Sequence, residues 1–107
     1  MKIIINRHIV PRGYSGITLF PFIFAKNKAL AKNPVFINHE KIHLQQQKEL
    51  LVIFFYFWYA IDFLVKLFIH KNWNTAYQNI IFEREAYNND HNLNYLKTRK
   101  RFAFLKN

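Results

Sequence analysis

The chain contains no cysteine, so disulfides, thiolate metal sites and cysteine nucleophiles are excluded. Any metal must be held by histidine, aspartate or glutamate, and Zn²⁺ in a catalytic-type site is the natural candidate for such ligands. Acidic residues are also scarce, because six Asp and Glu stand against 16 Lys and Arg, for a formal net charge of +10. This imbalance favours polyanionic partners, either nucleic acid or an anionic membrane face.

Glycine and proline are few as well, with two and three residues, and most of them lie near the N-terminus. Residues 11–16, P-R-G-Y-S-G, predict a turn. The β-branched run in residues 1–10 predicts a strand before this turn. Residues 17–25 predict a second extended segment, which Pro21 either breaks or restricts to a sheet edge. We therefore expect a short β-hairpin or two extended segments, followed by a polar connection over 26–33.

One short motif, H-E-K-I-H at residues 39–43, carries the clearest chemistry of the chain. Asn33 and Pro34 predict a helix start, as N-cap and first-turn residue. Positions i and i+4 share a helix face, so His39 and His43 can bind one ion, and Glu40 can take a proton from metal-bound water. The same face includes Phe36, Gln46, Gln47 and Leu50. We expect it to point inward, against the alternative of two surface histidines on an exposed helix.

Residues 50–69 form an apolar run of twenty residues that contains two charges, Asp62 and Lys66. These charges are four residues apart and can pair on one side of a helix. Twenty helical residues reach about 30 Å, the thickness of a bilayer's hydrocarbon core. Three interpretations remain: a transmembrane span, a helix lying in the interface, and the buried core helix of a soluble domain. Membrane association is the interpretation we favour.

A later helix, residues 75–90 with Thr75 as its cap, is expected to supply the third metal ligand. Ala76, Ile80, Glu83 and Tyr87 share one face of it. A carboxylate in such an apolar stripe is costly unless it is paired or bound to metal, which makes Glu83 the candidate. Glu85 points elsewhere and is expected to be exposed.

The C-terminal tail, residues 91–107, is a candidate basic amphipathic helix. It predicts either contact with anionic lipid headgroups or a solvated helical face. Nucleic acid is the less favoured partner, since no recognisable binding module is present.

Taken together, the motif at 39–43 and F-E-R-E-A-Y at 82–87 resemble the gluzincin metallopeptidases. The closest groups are membrane-bound: the CAAX prenyl protease and heat-shock protease group, and the peptidase domain of beta-lactam sensor-transducers. Their second motif is E-x-x-[AC]-D, onto which Glu83 falls as the ligand and Ala86 as the small residue. The overlap covers residues 34–90, and the whole chain also resembles small uncharacterised proteins of Bacteroidetes-type bacteria.

The resemblance departs at Tyr87, which stands where the family has an aspartate that supports the site. Tyr87 is then a candidate hydrogen-bond donor to a ligand or to a developing oxyanion, and Asp90 is a candidate substitute for the missing aspartate. His91 and Tyr14 are further candidates for the oxyanion donor. The resemblance also implies that the segment 17–25 offers its edge to an extended peptide substrate.

We therefore expect one α+β domain, predominantly α, over residues 1–107. It comprises an extended region at 1–32, an HExxH helix continuing into the apolar helix at 33–71, and helices with a basic tail at 74–105, about three helices in all. The expected function is that of a zinc-dependent peptidase acting on peptide or protein substrates, located at the bacterial inner membrane, with a soluble cytoplasmic location as the alternative. A non-catalytic, membrane-associated zinc-binding protein and a nucleic-acid-binding module with a fortuitous motif are the rival functions. Self-association would be one way to cover the aromatic helix.

Overall fold

The computed structural model describes residues 2–11 and 13–106. Within them the fold is α+β and predominantly α, as predicted, although the helices number six rather than about three. The strands are β1 (Lys2–Ile5), β2 (Gly16–Leu19) and β3 (Phe22–Ala25). The helices are α1 (Lys28–Ala31), α2 (Pro34–Glu49), α3 (Ile53–His70), α4 (Trp73–Asn79), α5 (Ile81–Asn89) and α6 (Tyr95–Thr98), followed by a 3₁₀ turn at Ala103–Lys106.

The strands form one small sheet in the order β1-β3-β2. β2 and β3 pair antiparallel as a hairpin, and β1 runs parallel to β3. The extended segment predicted at 17–25 is therefore two strands, with Pro21 in the turn between them. Since β3 is the central strand, β2 is an edge strand, and it packs against α2.

Helix α2 begins as predicted, because the Asn33 side chain accepts hydrogen bonds from the backbone N–H groups of Val35 and Phe36. The prediction that it continues into the apolar helix is wrong, since α2 ends at Glu49 and α3 begins at Ile53. Between them Val52 has φ 64° and ψ −59°. The N–H of Ile53 donates to the carbonyl of Leu51 at 2.6 Å, which closes a γ-turn around Val52.

The helix predicted at 75–90 is also two helices, α4 and α5, separated at Ile80. The cap of α4 is Asn72, whose side chain accepts from the N–H of Thr75 at 3.0 Å, so Thr75 is not the cap. Asp62 of α3 pairs with Lys66 at 2.9 Å, as predicted. Its second oxygen accepts from the N–H of Ile81 at 2.7 Å, which fixes the start of α5 against α3.

The tail does not form the predicted amphipathic helix. It contains only the four-residue α6 and the 3₁₀ turn, and Phe104 of that turn is fully buried. Phe104 packs against Phe82 and Trp58 at ring-centroid distances of 4.8 and 5.4 Å. The main apolar cluster, formed by Phe55, Ile80, Phe82 and Phe104, therefore joins α3, α5 and the tail.

Candidate metal centre

The inward face of α2 is polar, because His39, Glu40 and His43 are buried there at 8, 6 and 6 % exposure. The helix lies between β2 and α5, so the predicted inward orientation of both histidines is what the structure has. The three side chains form a group whose ligand atoms lie within 4.8 Å of one another and which could hold a metal ion.

Helix α5 brings the Glu83 carboxylate to the same point. Its Oε1 lies 3.2 Å from Nε2 of His39 and 3.1 Å from Nε2 of His43, and the two Nε2 atoms are 3.2 Å apart. Tetrahedral ligands at about 2.1 Å from Zn²⁺ would be roughly 3.4 Å apart, so this triangle fits the ion with small adjustments. Glu40 Oε2 is farther, at 4.0 Å from Nε2 of His39. The geometry therefore favours Glu83 as the third ligand, with Glu40 beside the site.

The charges of the site favour a cation between these groups. Burial alone would raise the pKa of Glu83, but His43 and His39 hold that pKa well below its ordinary value. Burial alone would lower the pKa of His43, but the Glu83 carboxylate raises it to about 9. A divalent ion bound there would take the place of a proton on His43, because an imidazole binds a metal ion in its neutral form. Burial raises the pKa of Glu40, although the nearby histidines oppose this.

Each histidine is oriented through its other ring nitrogen, as is usual for metal-binding imidazoles. Nδ1 of His39 lies 3.0 Å from Oδ2 of Asp90, and Nδ1 of His43 lies 2.8 Å from Oε1 of Gln46. Asn38 donates to the Asp90 carbonyl at 2.9 Å and so fixes that segment against α2. Asp90 is therefore placed to orient the ring of His39.

Both carboxylates are held as well, by residues that sequence reasoning missed. The hydroxyl of Tyr59 donates to Oε2 of Glu83 at 2.7 Å, and the hydroxyl of Thr18 donates to Oε1 of Glu40 at 3.0 Å. Tyr59 comes from α3 and Thr18 from β2. Their roles depend on how distant elements pack, which no local signal in the chain records.

Glu85, predicted to be exposed, is fully buried, and this prediction is wrong. Arg99 of the tail folds over it, with its Nε on Oε2 of Glu85 and its NH1 2.7 Å from Oε2 of Glu49. Gln46 donates to Oε1 of Glu85 at 2.9 Å. A continuous chain of contacts therefore runs from the buried ion pair to His43.

The remaining candidates are separated by the structure. The rings of Tyr87 and His39 pack edge to face, with 4.6 Å between their centroids. Tyr87 does not line the cleft. His91 is largely exposed, with Nδ1 2.8 Å from Oδ1 of Asp90. Tyr14 lines the cleft, where its hydroxyl accepts from Nε1 of Trp73 at 3.3 Å. Of these three, Tyr14 is the one that lines the cleft.

The cleft itself has a volume of about 410 Å³ and opens between β2, α2, α3 and α4. Glu40, His43 and Glu83 line it, and β2 contributes residues 16–18. The opposite walls are aromatic: Phe55, Tyr56, Tyr59, Phe63, Trp73 and Tyr77. The cleft therefore offers a largely apolar surface next to the buried carboxylates and His43.

The chain matches no protein family model, and it has no match among curated proteins or solved structures.

Proposed function

We propose that the protein is a zinc-dependent metallopeptidase. The observation that carries this proposal is the convergence of His39 Nε2, His43 Nε2 and Glu83 Oε1 to within 3.1–3.2 Å of one another. Glu40 stands beside that triangle and also lines a cleft. Such hydrolysis requires two imidazole ligands, a carboxylate as the third ligand and an adjacent base.

In this mechanism His39, His43 and Glu83 would hold the ion, and Glu40 would transfer the protons. Zn²⁺ bound there would supply a water of lowered pKa, near 7, and would polarise the scissile carbonyl. Glu40 takes the proton of the attacking water and passes it to the leaving amine. Its burial raises its pKa above that of an ordinary carboxyl group, which makes it a stronger base. The hydroxyl of Thr18 orients the carboxylate for both steps.

The edge of β2 is the proposed binding place for the peptide backbone. The N–H of Lys26 donates to the carbonyl of Ser15, so the alternation of the ladder directs the main-chain groups of Ile17 toward β3. The groups of Gly16 and Thr18 then face outward. The Thr18 carbonyl is already used, because Gln47 donates to it at 2.8 Å. The outward groups of Gly16 remain for a substrate strand.

Kinetic and metal analysis of four variants tests the proposal. Glu40→Gln should keep zinc but lower kcat on casein or short peptides by about 10²–10⁴-fold, the share of a general base. His39→Ala should lose both zinc and activity. Tyr14→Phe should lower kcat with little change in KM if its hydroxyl stabilises the oxyanion. Lys48→Gln, an exposed change on the same helix, serves as the control. Zinc retention and full activity in His39→Ala would refute the proposal.

A second function, a non-catalytic zinc-binding protein associated with the membrane, is favoured by one observation. Glu40 is only 6 % exposed and is held by Thr18, which limits its access to a substrate. On this alternative Glu40→Gln keeps zinc and changes no measurable property, whereas a peptidase loses turnover.

Both functions are proposed to operate at the bacterial inner membrane. α3 is long and apolar enough to cross a membrane, and Phe55 is the one residue of its 18 that is buried within the fold. A soluble cytoplasmic protein is the alternative, and self-association would then have to cover this helix.

A further inference from the structure

Helix α3 has its polarity reversed relative to a helix on a water-facing surface. Its two charged residues, Asp62 and Lys66, lie on the packed side, where they pair with each other and where Asp62 binds α5. Tyr59 on the same side reaches Glu83. The opposite side, called here the outer face, consists of Ile53, Phe54, Phe57, Ile61, Leu64, Val65, Phe68 and Ile69. A surface helix in water normally shows the opposite arrangement.

The outer face is too large to be an ordinary surface feature. Phe57, Leu64 and Phe68 are 65, 62 and 83 % exposed. Eight such side chains leave on the order of 1,000 Å² of apolar surface, since a large aromatic side chain alone has about 200 Å². The largest apolar patch of a typical monomer is about 300–600 Å². The outer face therefore needs a cover that the fold does not provide.

The distribution of charge indicates which partner covers the outer face. All six acidic side chains have internal partners, and none is in the exposed class: Glu40, Glu49, Asp62, Glu83, Glu85 and Asp90. The charged side chains on the described surface are therefore cationic. A second copy would bring like charge against like charge, whereas an anionic lipid surface is complementary.

The tail lies beside the outer face, next to Trp58 at its margin. Phe104 packs its ring on Trp58 at 5.4 Å, so the 3₁₀ turn lies beside the first half of α3. Phe102 and Leu105 expose 39 and 58 % of their surface, and Lys100, Arg101 and Lys106 are exposed next to them. Exposed apolar side chains with adjacent cations suit contact with the headgroups of an anionic bilayer.

The packing of α3 also separates a spanning orientation from a flat one. Its inner side is packed against α4, on which Asn74, Thr75 and Gln78 are exposed. Upright insertion of α3 would carry these polar side chains to the depth of the hydrocarbon, which is costly. A flat orientation leaves them in water.

We propose that the outer face of α3 and the neighbouring tail dock the protein, parallel to the membrane plane, on an anionic lipid bilayer. The proposal rests on the proposed membrane location but not on the peptidase activity. Phe55 and Tyr59 on the other side of the same helix line the cleft. Since a helix is about 10 Å wide, the cleft would lie within one helix diameter of the lipid. Its substrates would then be peptide segments at the membrane surface.

Vesicle flotation with the full chain tests the docking. The protein should float with vesicles of phosphatidylcholine containing about one third phosphatidylglycerol, and much less with phosphatidylcholine alone. Leu64→Glu combined with Phe68→Glu should abolish flotation. Asn74→Glu combined with Gln78→Glu adds the same charge on exposed α4 positions and should keep most of it. Lys100→Gln with Arg101→Gln should weaken binding to the anionic vesicles by about 30-fold, at roughly 1 kcal/mol per cation near the surface.

Four results would overturn the proposal. The first is failure of the wild type to float with anionic vesicles. The second is equal binding to both kinds of vesicle. The third is a dimer in solution that the Leu64→Glu and Phe68→Glu changes dissociate, because the outer face would then bind a second copy. The fourth is deep quenching of Trp58 by lipids brominated near the bilayer centre, in a Trp73→Phe background, because it would indicate a spanning helix. Zinc content and peptidase turnover, measured on the same samples, report the metallopeptidase proposal separately.

Discussion

Asp90 is the residue on which the orientation of His39 depends. Its Oδ2 is 3.0 Å from Nδ1 of that ring, which leaves Nε2 directed at Glu83. Asp90→Ala would free the ring to rotate and remove the acceptor that supports its basicity. We expect zinc affinity to fall about 10–100-fold, the usual cost of losing such a partner. Competition with a fluorescent chelator measures it.

Asn88→Ala is the matched control for Asp90→Ala, because Asn88 lies two residues earlier and is exposed. Its zinc affinity should equal that of the wild type. An unchanged affinity in Asp90→Ala would show that the carboxylate does not orient the ligand. An unchanged affinity would leave the packing of Tyr87 against His39 as the contact that orients the ring.

At the level of elements, Arg99 connects the tail to α2 and α5. Its side chain is 2 % exposed between Glu85 and Glu49, and the Glu85 side chain is fully buried. Arg99→Met would leave two carboxylates unpaired, so we expect a loss of about 3–5 kcal/mol in the free energy of unfolding. Urea unfolding measures it. Arg101→Met, an exposed change nearby, should stay within about 0.5 kcal/mol of the wild type.

The same ion pair predicts a pH dependence. Burial would raise the pKa of Glu85, but Arg99 and its other partners hold it below the ordinary 4.5. A carboxyl with a lowered folded-state pKa contributes stability above its unfolded pKa and loses it as the pH falls through the folded value. The wild type should thus lose stability in acid below about pH 4.5, and Arg99→Met should show a smaller loss over that range. Equal acid slopes would contradict the assignment.

The turn between α2 and α3 stores backbone strain at a β-branched residue. Val52 has φ 64° and ψ −59°, a region that Val rarely adopts, and Leu51 also has a positive φ of 55°. Val52→Gly should therefore raise the free energy of unfolding by about 1 kcal/mol, the relief of strain exceeding the entropy cost of glycine. Thermal unfolding checks it. Ala60→Gly, on exposed α3 backbone, should lower stability by about 1 kcal/mol. A lower free energy of unfolding in Val52→Gly would show that the backbone at Val52 is not strained.

These elements also show how far the sequence could predict the fold. Asn33-Pro34 and the i, i+4 histidines are local signals, so the start of α2 and its inward face were predictable. A costly apolar environment likewise pointed to Glu83. The helix breaks near Val52 and Ile80 were not predictable, because no glycine or proline follows Pro34. The bounds of those helices depend instead on tertiary contacts. One example is the hydrogen bond from the N–H of Ile81 to Asp62 at the start of α5.

At the scale of the whole molecule, much of the interior is polar. Buried Asn38, Gln46 and Gln47 lie with the site residues along α2, while the largest apolar helix is mostly outside. The burial of Glu85 belongs to this polar interior, and the sequence did not predict it. A carboxylate beside an arginine fourteen residues later shows no local pattern, and only the folded tail brings the two together.

Because the proposed metal site joins α2 to α5, zinc binding should stabilise the entire fold. At 100 times Kd, ligand binding adds about 2.7 kcal/mol, and roughly 4–8 °C of Tm follow from each kcal/mol in a domain of this size. We expect zinc to raise the Tm by about 10–20 °C in a thermal scan. Glu83→Gln should abolish this rise, and Glu40→Gln should keep it, because Glu83 Oε1 is 3.1–3.2 Å from both Nε2 atoms and Glu40 is farther away. The reverse pattern would make Glu40 the third ligand, with His39 and His43, and would remove the base from the proposed mechanism.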